Sequence, residues 1–267
     1  MKPFDMRELF GVAKPIIGML HLQPLPGTPG AGGLDSLRKR LMQDAQALAE
    51  GGVDGLILEN FGDAPYFPGR VPSHTVAYMT LLGREVRSSF PQPLGINVLR
   101  NDGLAALAVA AAVGASFIRV NVYMGARVAD EGLIQGEAHR VVRYRQELGC
   151  DVRIFADVAV KHSASLGVMD LRTEVSDALG RGKADAVIVS GPATGRETDI
   201  EDIDIAKMAA GAAAVLVGSG VRADNIGEVL SRADGAIVGT GLKAGGDVGN
   251  AVDPARVREL MEMARRG

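Results

Sequence analysis

Carboxylate and amide side chains fall near the ends of several short aliphatic runs in this sequence. They are Glu59, Asn97, Asn121 and Asp157, with Arg119 two positions before Asn121. Successive side chains of a strand point to opposite faces, so the aliphatic neighbours indicate which face is apolar and leave these groups on the other. If the runs are strands of one parallel barrel, the polar groups converge at its carboxyl end, where side chains can move protons or bind hydroxyls.

We expect Glu59 and Asp157 to act as acid–base groups. Asn97, Arg119 and Asn121 are expected to bind the substrate or to stabilise negative charge that develops during a reaction. A second interpretation stays open, in which these charges form internal salt bridges that only close the structure.

Other polar residues leave more than one role open. Internal pairing is favoured for Arg153, which lies early in its aliphatic run, whereas Ser190 could add a hydroxyl to the site or cap a loop. The carboxylates and amides are hard oxygen donors that could hold Mg²⁺, although no spacing motif demands a metal.

Two residues that follow aliphatic runs could also take part in catalysis. His21 could be a general acid–base group because imidazole titrates near neutral pH, or it could orient the proline-rich loop at 24–33. Lys161 could form a Schiff base or hold a phosphate, although an exposed loop lysine is commoner.

Two glycine-rich turns near the end of the chain predict a phosphate site. The turns are Gly218-Ser219-Gly220 and Gly239-Thr240-Gly241, each directly after an aliphatic run. Glycines let backbone N–H groups approach phosphate oxygens, and a short helix near Asp224 would add positive potential. The segment 218–223 also fits the dinucleotide pattern G-x-G-x-x-A, but a Rossmann unit needs more strands than the single one that remains.

The elements that must position these groups recur eight times. Small or turn-forming residues precede each aliphatic run, as in Gly52-Val-Asp-Gly-Leu-Ile-Leu58, and indicate a helix end followed by a buried strand. Strands are predicted near 16–20, 55–59, 94–98, 117–122, 152–157, 186–190, 214–218 and 235–239. Helices are predicted near 34–50, 73–89, 102–113, 137–148, 170–181, 202–210, 224–231 and 254–265.

Eight strand–helix units in this length predict an α/β fold, a single (β/α)8 TIM barrel of the phosphate-binding type over residues 1–267, with 1–14 as an N-terminal extension. The links from strand to helix are long, whereas the links from helix to strand are short. Long loops of a barrel lie at its carboxyl face, so this asymmetry predicts an active site there.

Composition excludes several classes of protein. The chain of 267 residues has one cysteine, Cys150, so it cannot form an internal disulfide. Its formal net charge is −3, and no basic patch predicts a nucleic-acid partner. The longest uncharged apolar stretch, 103–118, is shorter than the roughly 20 residues of a membrane span. We predict a cytoplasmic protein without a transmembrane segment.

Several segments, in order along nearly the whole chain, carry a resemblance to a known family. They are Ile17–Gly27, Gly52–Asp63, Gly95–Asn101, Arg119–Val122, Ala126–Ile134, Phe155–His162, Val189–Gly195 and the two glycine turns. On these residues the chain resembles the BtpA/SgcQ family. The resemblance implies a phosphate-binding TIM barrel but carries no assignment of catalytic residues.

The resemblance also implies two different functions. One is photosystem I biogenesis by a protein peripherally associated with thylakoid membranes. The other is an enzyme encoded with carbohydrate-uptake genes, sometimes called a nucleoside triphosphatase, a label that gains no support because the chain has no G-x-x-x-x-G-K-[ST] loop.

These observations favour an enzyme, expected to be a homo-oligomer, that acts on a phosphorylated small molecule such as a sugar or nucleoside phosphate. Isomerase, epimerase or lyase chemistry with acid–base groups would fit, and hydrolysis stays open. The alternative is a non-catalytic assembly or stability factor of the photosystem I biogenesis type. An enzyme should show an open polar pocket, and an assembly factor an exposed apolar patch.

Overall fold

The computed structural model describes residues 4–160, 162–167, 169–191 and 194–266. The strands are β1 Ile16–His21, β2 Gly55–Glu59, β3 Leu94–Asn97, β4 Phe117–Val120, β5 Ala126–Ala129, β6 Gly132–Gln135, β7 Arg153–Val158, β8 Ser163–Ser165, β9 Ala186–Val189, β10 Ala214–Val217 and β11 Ala236–Val238. The α-helices are α1 Met6–Phe10, α2 Leu34–Glu50, α3 Ser73–Ser89, α4 Gly103–Val113, α5 Ala138–Glu147, α6 Leu171–Gly180, α7 Ile200–Ala210, α8 Ile226–Arg232 and α9 Pro254–Arg266.

Eight parallel strands close into a barrel in the order β1-β2-β3-β4-β7-β9-β10-β11, and β11 pairs with β1. Helices α2 to α9 alternate with these strands, as a (β/α)8 barrel requires. The predicted TIM barrel is confirmed, and every predicted barrel strand and helix lies within two residues of its observed bounds.

Apolar side chains form two layers on either side of the barrel wall. The outer layer lies between strands and helices and includes Ile96, Ile118 and Val187. The inner layer fills the barrel, where the rings of Phe117 and Phe155 stack at 4.7 Å. Alternation of side chains along each strand places one set in each layer.

The N-terminal extension closes the amino end of the barrel. Asp5 caps helix α1 by accepting a hydrogen bond from the backbone N–H of Arg7. Met6 and Phe10 of α1 are buried in the inner layer, and the ring of Phe10 meets that of Phe117 edge-on at 5.7 Å. The extension therefore belongs to the core of the barrel.

A small antiparallel sheet was not predicted from the sequence. Strands β5 and β6 form a hairpin in the loop after β4, and β8, from the loop after β7, pairs with β5. Ile134 of β6 packs with Val122 and Val160 at the edge of the barrel mouth. These two long loops are thus joined into one structured rim over the carboxyl end.

No helix in the described ranges is long and apolar enough to cross a membrane.

Candidate active site

An ion pair forms the floor of the barrel mouth. Arg119 on β4 donates from Nε to Asp157 Oδ1 on β7 at 3.0 Å, and from Nη2 to Asp157 Oδ2 at 3.0 Å. Asn121 Nδ2 donates to Asp157 Oδ2 at 2.7 Å, and Asn97 Nδ2 donates to Asn121 Oδ1 at 3.1 Å. The residues predicted to converge do so, but they bond mainly to one another.

This network surrounds Asp157, for which an acid–base role stays a prediction. Its side chain has 0% exposure, and Arg119 and Asn121 supply both of its oxygens with N–H donors. Although burial alone lowers the pKa of Arg119, the carboxylates of Asp157 and Glu59 raise it overall. Asp157 is therefore a hydrogen-bonded partner that positions Arg119 and Asn121, an arrangement of the kind that the second interpretation, internal pairing, describes.

His21 and Glu59 form a second pair above the floor. They end the adjacent strands β1 and β2, where they lie side by side in register, and His21 Nε2 is 3.6 Å from Glu59 Oε1. Both side chains are buried, and the ring of Phe61 packs against that of His21 at 4.6 Å. An imidazole beside a carboxylate at the mouth of a cavity can exchange protons with a bound molecule.

The two glycine turns line one cavity together with His21 and Glu59, and a Cβ on Gly239 would lie 2.7 Å from the His21 ring. This cavity, which we call the phosphate lobe, has a volume of about 150 Å³ and is lined by His21, Glu59, Phe61, Arg119, Thr194, Gly195, 218–222, Gly239, Thr240, Gly241 and Arg256, among others. Within the described residues, the backbone N–H groups of Gly220, Thr240 and Gly241 donate no hydrogen bond. Such amides at the ends of the last two barrel strands suit phosphate oxygens.

Glycine is required where these turns approach other backbone. Gly220 has φ +68°, and a Cβ there would lie 2.3 Å from Glu197 Cα. A Cβ on Gly241 would lie 2.4 Å from the carbonyl oxygen of Val221. The glycines therefore bring the two turns close to each other and to the loop after β9.

Two arginines in the phosphate lobe were not predicted. Arg222 pairs with Glu197 and Asp224, and its bond to Glu197 is the main cause that raises its pKa. Arg256, in the first turn of α9, donates to the carbonyl oxygen of Gly241 at 3.2 Å. The fold places both arginines beside the turns, and no sequence motif identifies them.

The short helix expected near Asp224 begins two residues later. Helix α8 begins at Ile226 and has seven residues, so its first turn follows the Gly218–Gly220 turn by several residues. Asn225 instead spans the gap, since its Nδ2 donates to the carbonyl oxygen of Gly220 at 2.9 Å. The backbone amides belong to the turns themselves, and Arg256 contacts the second turn directly, because it bonds the carbonyl oxygen of Gly241.

The remaining predicted residues are placed as follows. Ser190 is buried beside Gly218, where a Cβ would meet its Oγ at 3.2 Å, and Oγ has no hydrogen-bond partner in the described ranges. Arg153 pairs with Asp185 outside the mouth, as the sequence favoured. Lys161 lies outside the described residues. No group of three or more His, Cys, Asp or Glu that could hold a metal occurs in the part of the chain described, and Mg²⁺ stays a prediction.

A second cavity of about 200 Å³ adjoins the first, and we call it the distal lobe. It is lined by Glu59, Phe61, Tyr66, Leu99, Arg100, Arg119, Asn121, Asp130, Glu131, His162 and Thr194. Glu59, Phe61, Arg119 and Thr194 line both lobes, so the mouth is one continuous cleft. Sequence analysis did not single out Tyr66, Arg100 and Glu131 as site residues, because they lie in loops and no strand alternation indicates where their side chains point.

The closed barrel, with a polar cleft at the carboxyl ends of its strands, places the molecule among the TIM-barrel proteins. Solved structures with the same fold include an N-(5'-phosphoribosyl)anthranilate isomerase from Pyrococcus furiosus, with a TM-score of 0.58 and 14% identity over 95% of this chain and 100% of that one. The native KDPGal structure has a TM-score of 0.58 and 15% identity over 97% and 98%. At these identities the likeness shows the fold alone.

Sequence comparison is more specific. The model of the BtpA family matches residues 12–266, and the chain belongs to that family. It is 47% identical to the photosystem I biogenesis protein BtpA of Synechocystis sp., over 98% of this chain and 92% of that protein. It is also 45% identical, over 94% and 95%, to an uncharacterised protein of Thermococcus kodakarensis.

Proposed function

We propose that the protein is an enzyme that performs acid–base chemistry on a phosphorylated small molecule. The observation that carries this proposal is one cavity lined both by two glycine turns with available backbone N–H groups and by the pair His21 and Glu59. The turns would hold a phosphate dianion, and the pair would face the carbon skeleton that the phosphate anchors.

The glycine turns and the pair His21 and Glu59 would have different roles. Backbone N–H groups bind the phosphate without competing for protons, and Arg222 and Arg256 add positive charge nearby. Either His21 or Glu59 would take a proton from a carbon next to a carbonyl, while the other would donate a proton to the carbonyl oxygen. The same proton transfers serve isomerases, epimerases and lyases.

Titration with inorganic phosphate tests the binding half of the proposal. A ligand at 100 times its Kd adds about 2.7 kcal/mol of stability, which thermal unfolding detects. Thr240→Glu places a carboxylate beside the dianion and should weaken phosphate binding by about tenfold or more, or about 1.4 kcal/mol. Gln146→Glu adds the same charge on an exposed site of α5 and should change nothing. Absence of phosphate binding, or equal binding by Thr240→Glu, would overturn the proposal.

Deuterium exchange tests the chemical half. Incubation with phosphorylated carbonyl compounds in D2O should exchange one carbon-bound hydrogen, as NMR detects. His21→Asn and Glu59→Gln should each slow exchange by about 10²- to 10⁴-fold, because general acid–base catalysis contributes that much. Exchange that persists at the wild-type rate in both variants would remove the pair from the mechanism.

A non-catalytic assembly role is the second candidate. It is favoured by the name of the Synechocystis relative and by exposed apolar side chains on the rim sheet, where Val128 faces Leu133 across β5 and β6. Expression of the chain in a Synechocystis strain without its own relative would decide between the roles. Restored photosystem I that survives the double change His21→Asn/Glu59→Gln would favour assembly, and loss of that rescue would favour catalysis.

A further inference from the structure

We infer that the distal lobe binds a polyhydroxylated end of the substrate, so that the phosphate lobe and the distal lobe together select a phosphate ester of a polyol. This inference rests on the proposed function, because it assumes that the phosphate occupies the glycine turns. It adds a recognition site, formed by Arg100, Glu131 and Tyr66, and a substrate class.

The tip of the β5–β6 hairpin brings a carboxylate into the mouth. Glu131 follows β5, and its side chain is only 5% exposed although it belongs to a loop at the rim. Its Oε2 lies 3.5 Å from Nε of Arg100, whose side chain is 6% exposed. The same Oε2 has no hydrogen bond to any residue in the described ranges, so a buried acceptor is available at the lobe.

The charges of the distal lobe disfavour an ionic group there. Glu59, Asp130 and Glu131 would repel a carboxylate or a second phosphate, and the charge of Arg119 is already paired with that of Asp157. Arg100 would repel an ammonium group placed beside Glu131. A hydroxyl both donates and accepts, so it can bond a carboxylate and a guanidinium that lie next to each other.

The walls of the lobe combine aromatic and polar side chains. Phe61 already packs against the ring of His21, and the hydroxyl of Tyr66 donates to the carbonyl oxygen of Phe61 at 2.5 Å. The ring of Phe61 is therefore partly covered by His21, and Tyr66 is held in place through its hydroxyl. Asn121 and Thr194 supply further polar groups to the same walls. The lobe can therefore offer hydrogen bonds to the hydroxyl groups of a guest.

Calorimetric titration of the full chain with simple phosphate esters tests the inference. The probes are inorganic phosphate, propyl phosphate, ribose 5-phosphate, 3-phosphoglycerate and 2-aminoethyl phosphate. We expect ribose 5-phosphate to bind about tenfold tighter than propyl phosphate, with the carboxylate and amine probes no tighter than propyl phosphate. Glu131→Gln should remove most of the tenfold gain and leave the Kd of inorganic phosphate within about twofold. Glu147→Gln, on the exposed face of α5, is the matched control.

The outcomes separate the two proposals. If inorganic phosphate binds but ribose 5-phosphate gains nothing over propyl phosphate, or Glu131→Gln has no effect on the gain, the distal-lobe inference falls while the phosphate site stands. Tighter binding of the carboxylate or amine probe also overturns it. If none of the probes binds, the proposed function falls, and the inference falls with it.

Discussion

The two ends of the barrel are closed by different chemistry. At the amino end, Met6 and Phe10 of the extension pack onto the apolar interior with Phe117. At the carboxyl end, Arg119 and Asp157 pair with each other beneath a continuous cleft. Burying apolar area stabilises the fold directly, whereas a buried ion pair offsets its own desolvation only in part. The carboxyl end therefore holds polar groups that selection for stability alone would not favour. Variants at each end of the barrel test this difference.

The largest effect is expected at the carboxyl end. Arg119→Met leaves Asp157 buried without its guanidinium and should lower the free energy of unfolding by about 4 kcal/mol. Urea denaturation measures this change, and Arg258→Met, at an exposed position of α9, is the control. The double variant Arg119→Met/Asp157→Leu should recover part of the loss, because it removes the unpaired charge. A single-variant loss below about 1 kcal/mol would mean that water already screens the pair.

A slightly smaller effect is expected at the amino end. Phe10→Ala removes a buried ring from the inner layer and should cost about 3 kcal/mol in the free energy of unfolding. The Kd for inorganic phosphate should stay the same, because the lesion lies at the far end of the barrel. Phe67→Ala, at a side chain that is 52% exposed, is the control. A change in phosphate affinity with Phe10→Ala would show that the two ends are coupled.

A third change tests whether stability and binding are linked at the carboxyl end. Buried Lys243 donates to Asp44 of α2 at 2.9 Å, and its backbone N–H donates to the carbonyl oxygen of Thr240 at 3.1 Å. Lys243→Met should cost about 2 kcal/mol, because Asp44 loses a charged partner but keeps Arg40. Lys243→Met should also weaken phosphate binding, because the Lys243 side chain no longer holds the Gly239–Gly241 turn against Asp44 of α2. Lys39→Met, exposed on α2, should do neither.

The barrel could be predicted from the sequence because its signals are local and repeated. Helix α4, for example, ends at Gly114 with φ +73° and is followed by the buried strand β4, and other repeats likewise place turn-forming or small residues before a buried aliphatic strand. Side-chain alternation then placed Arg119 and Asp157 on the inner face, although it could not show that they bond each other. Whether two inward side chains bond each other depends on the distance between their strands, and the sequence of one strand does not determine that distance.

The rim could not be predicted for a related reason. Strands β5 and β8 come from different loops and pair only in three dimensions, so neither has the length or alternation that marks a strand. Glu131 is an ordinary loop acid in the sequence and becomes a buried group only because the hairpin folds over Arg100. Arg256 reaches the phosphate lobe in the same way, through the position of α9.

The smallest expected effect is a pH dependence of the free energy of unfolding. It arises from Glu131, at the carboxyl end of the barrel. Burial raises the pKa of Glu131 above its ordinary value of 4.5, so the folded protein holds this proton more tightly than the unfolded chain does. The stabilising contribution is then fully present below the unfolded pKa and is lost as the pH rises through the folded pKa. The free energy of unfolding of Glu131→Gln, measured from pH 4 to 7 in urea, should lack this decline, whereas Glu147→Gln should retain it. If Glu131→Gln and the wild type change in parallel over this range, Glu131 is hydrated in solution and the hairpin tip does not stay closed over Arg100.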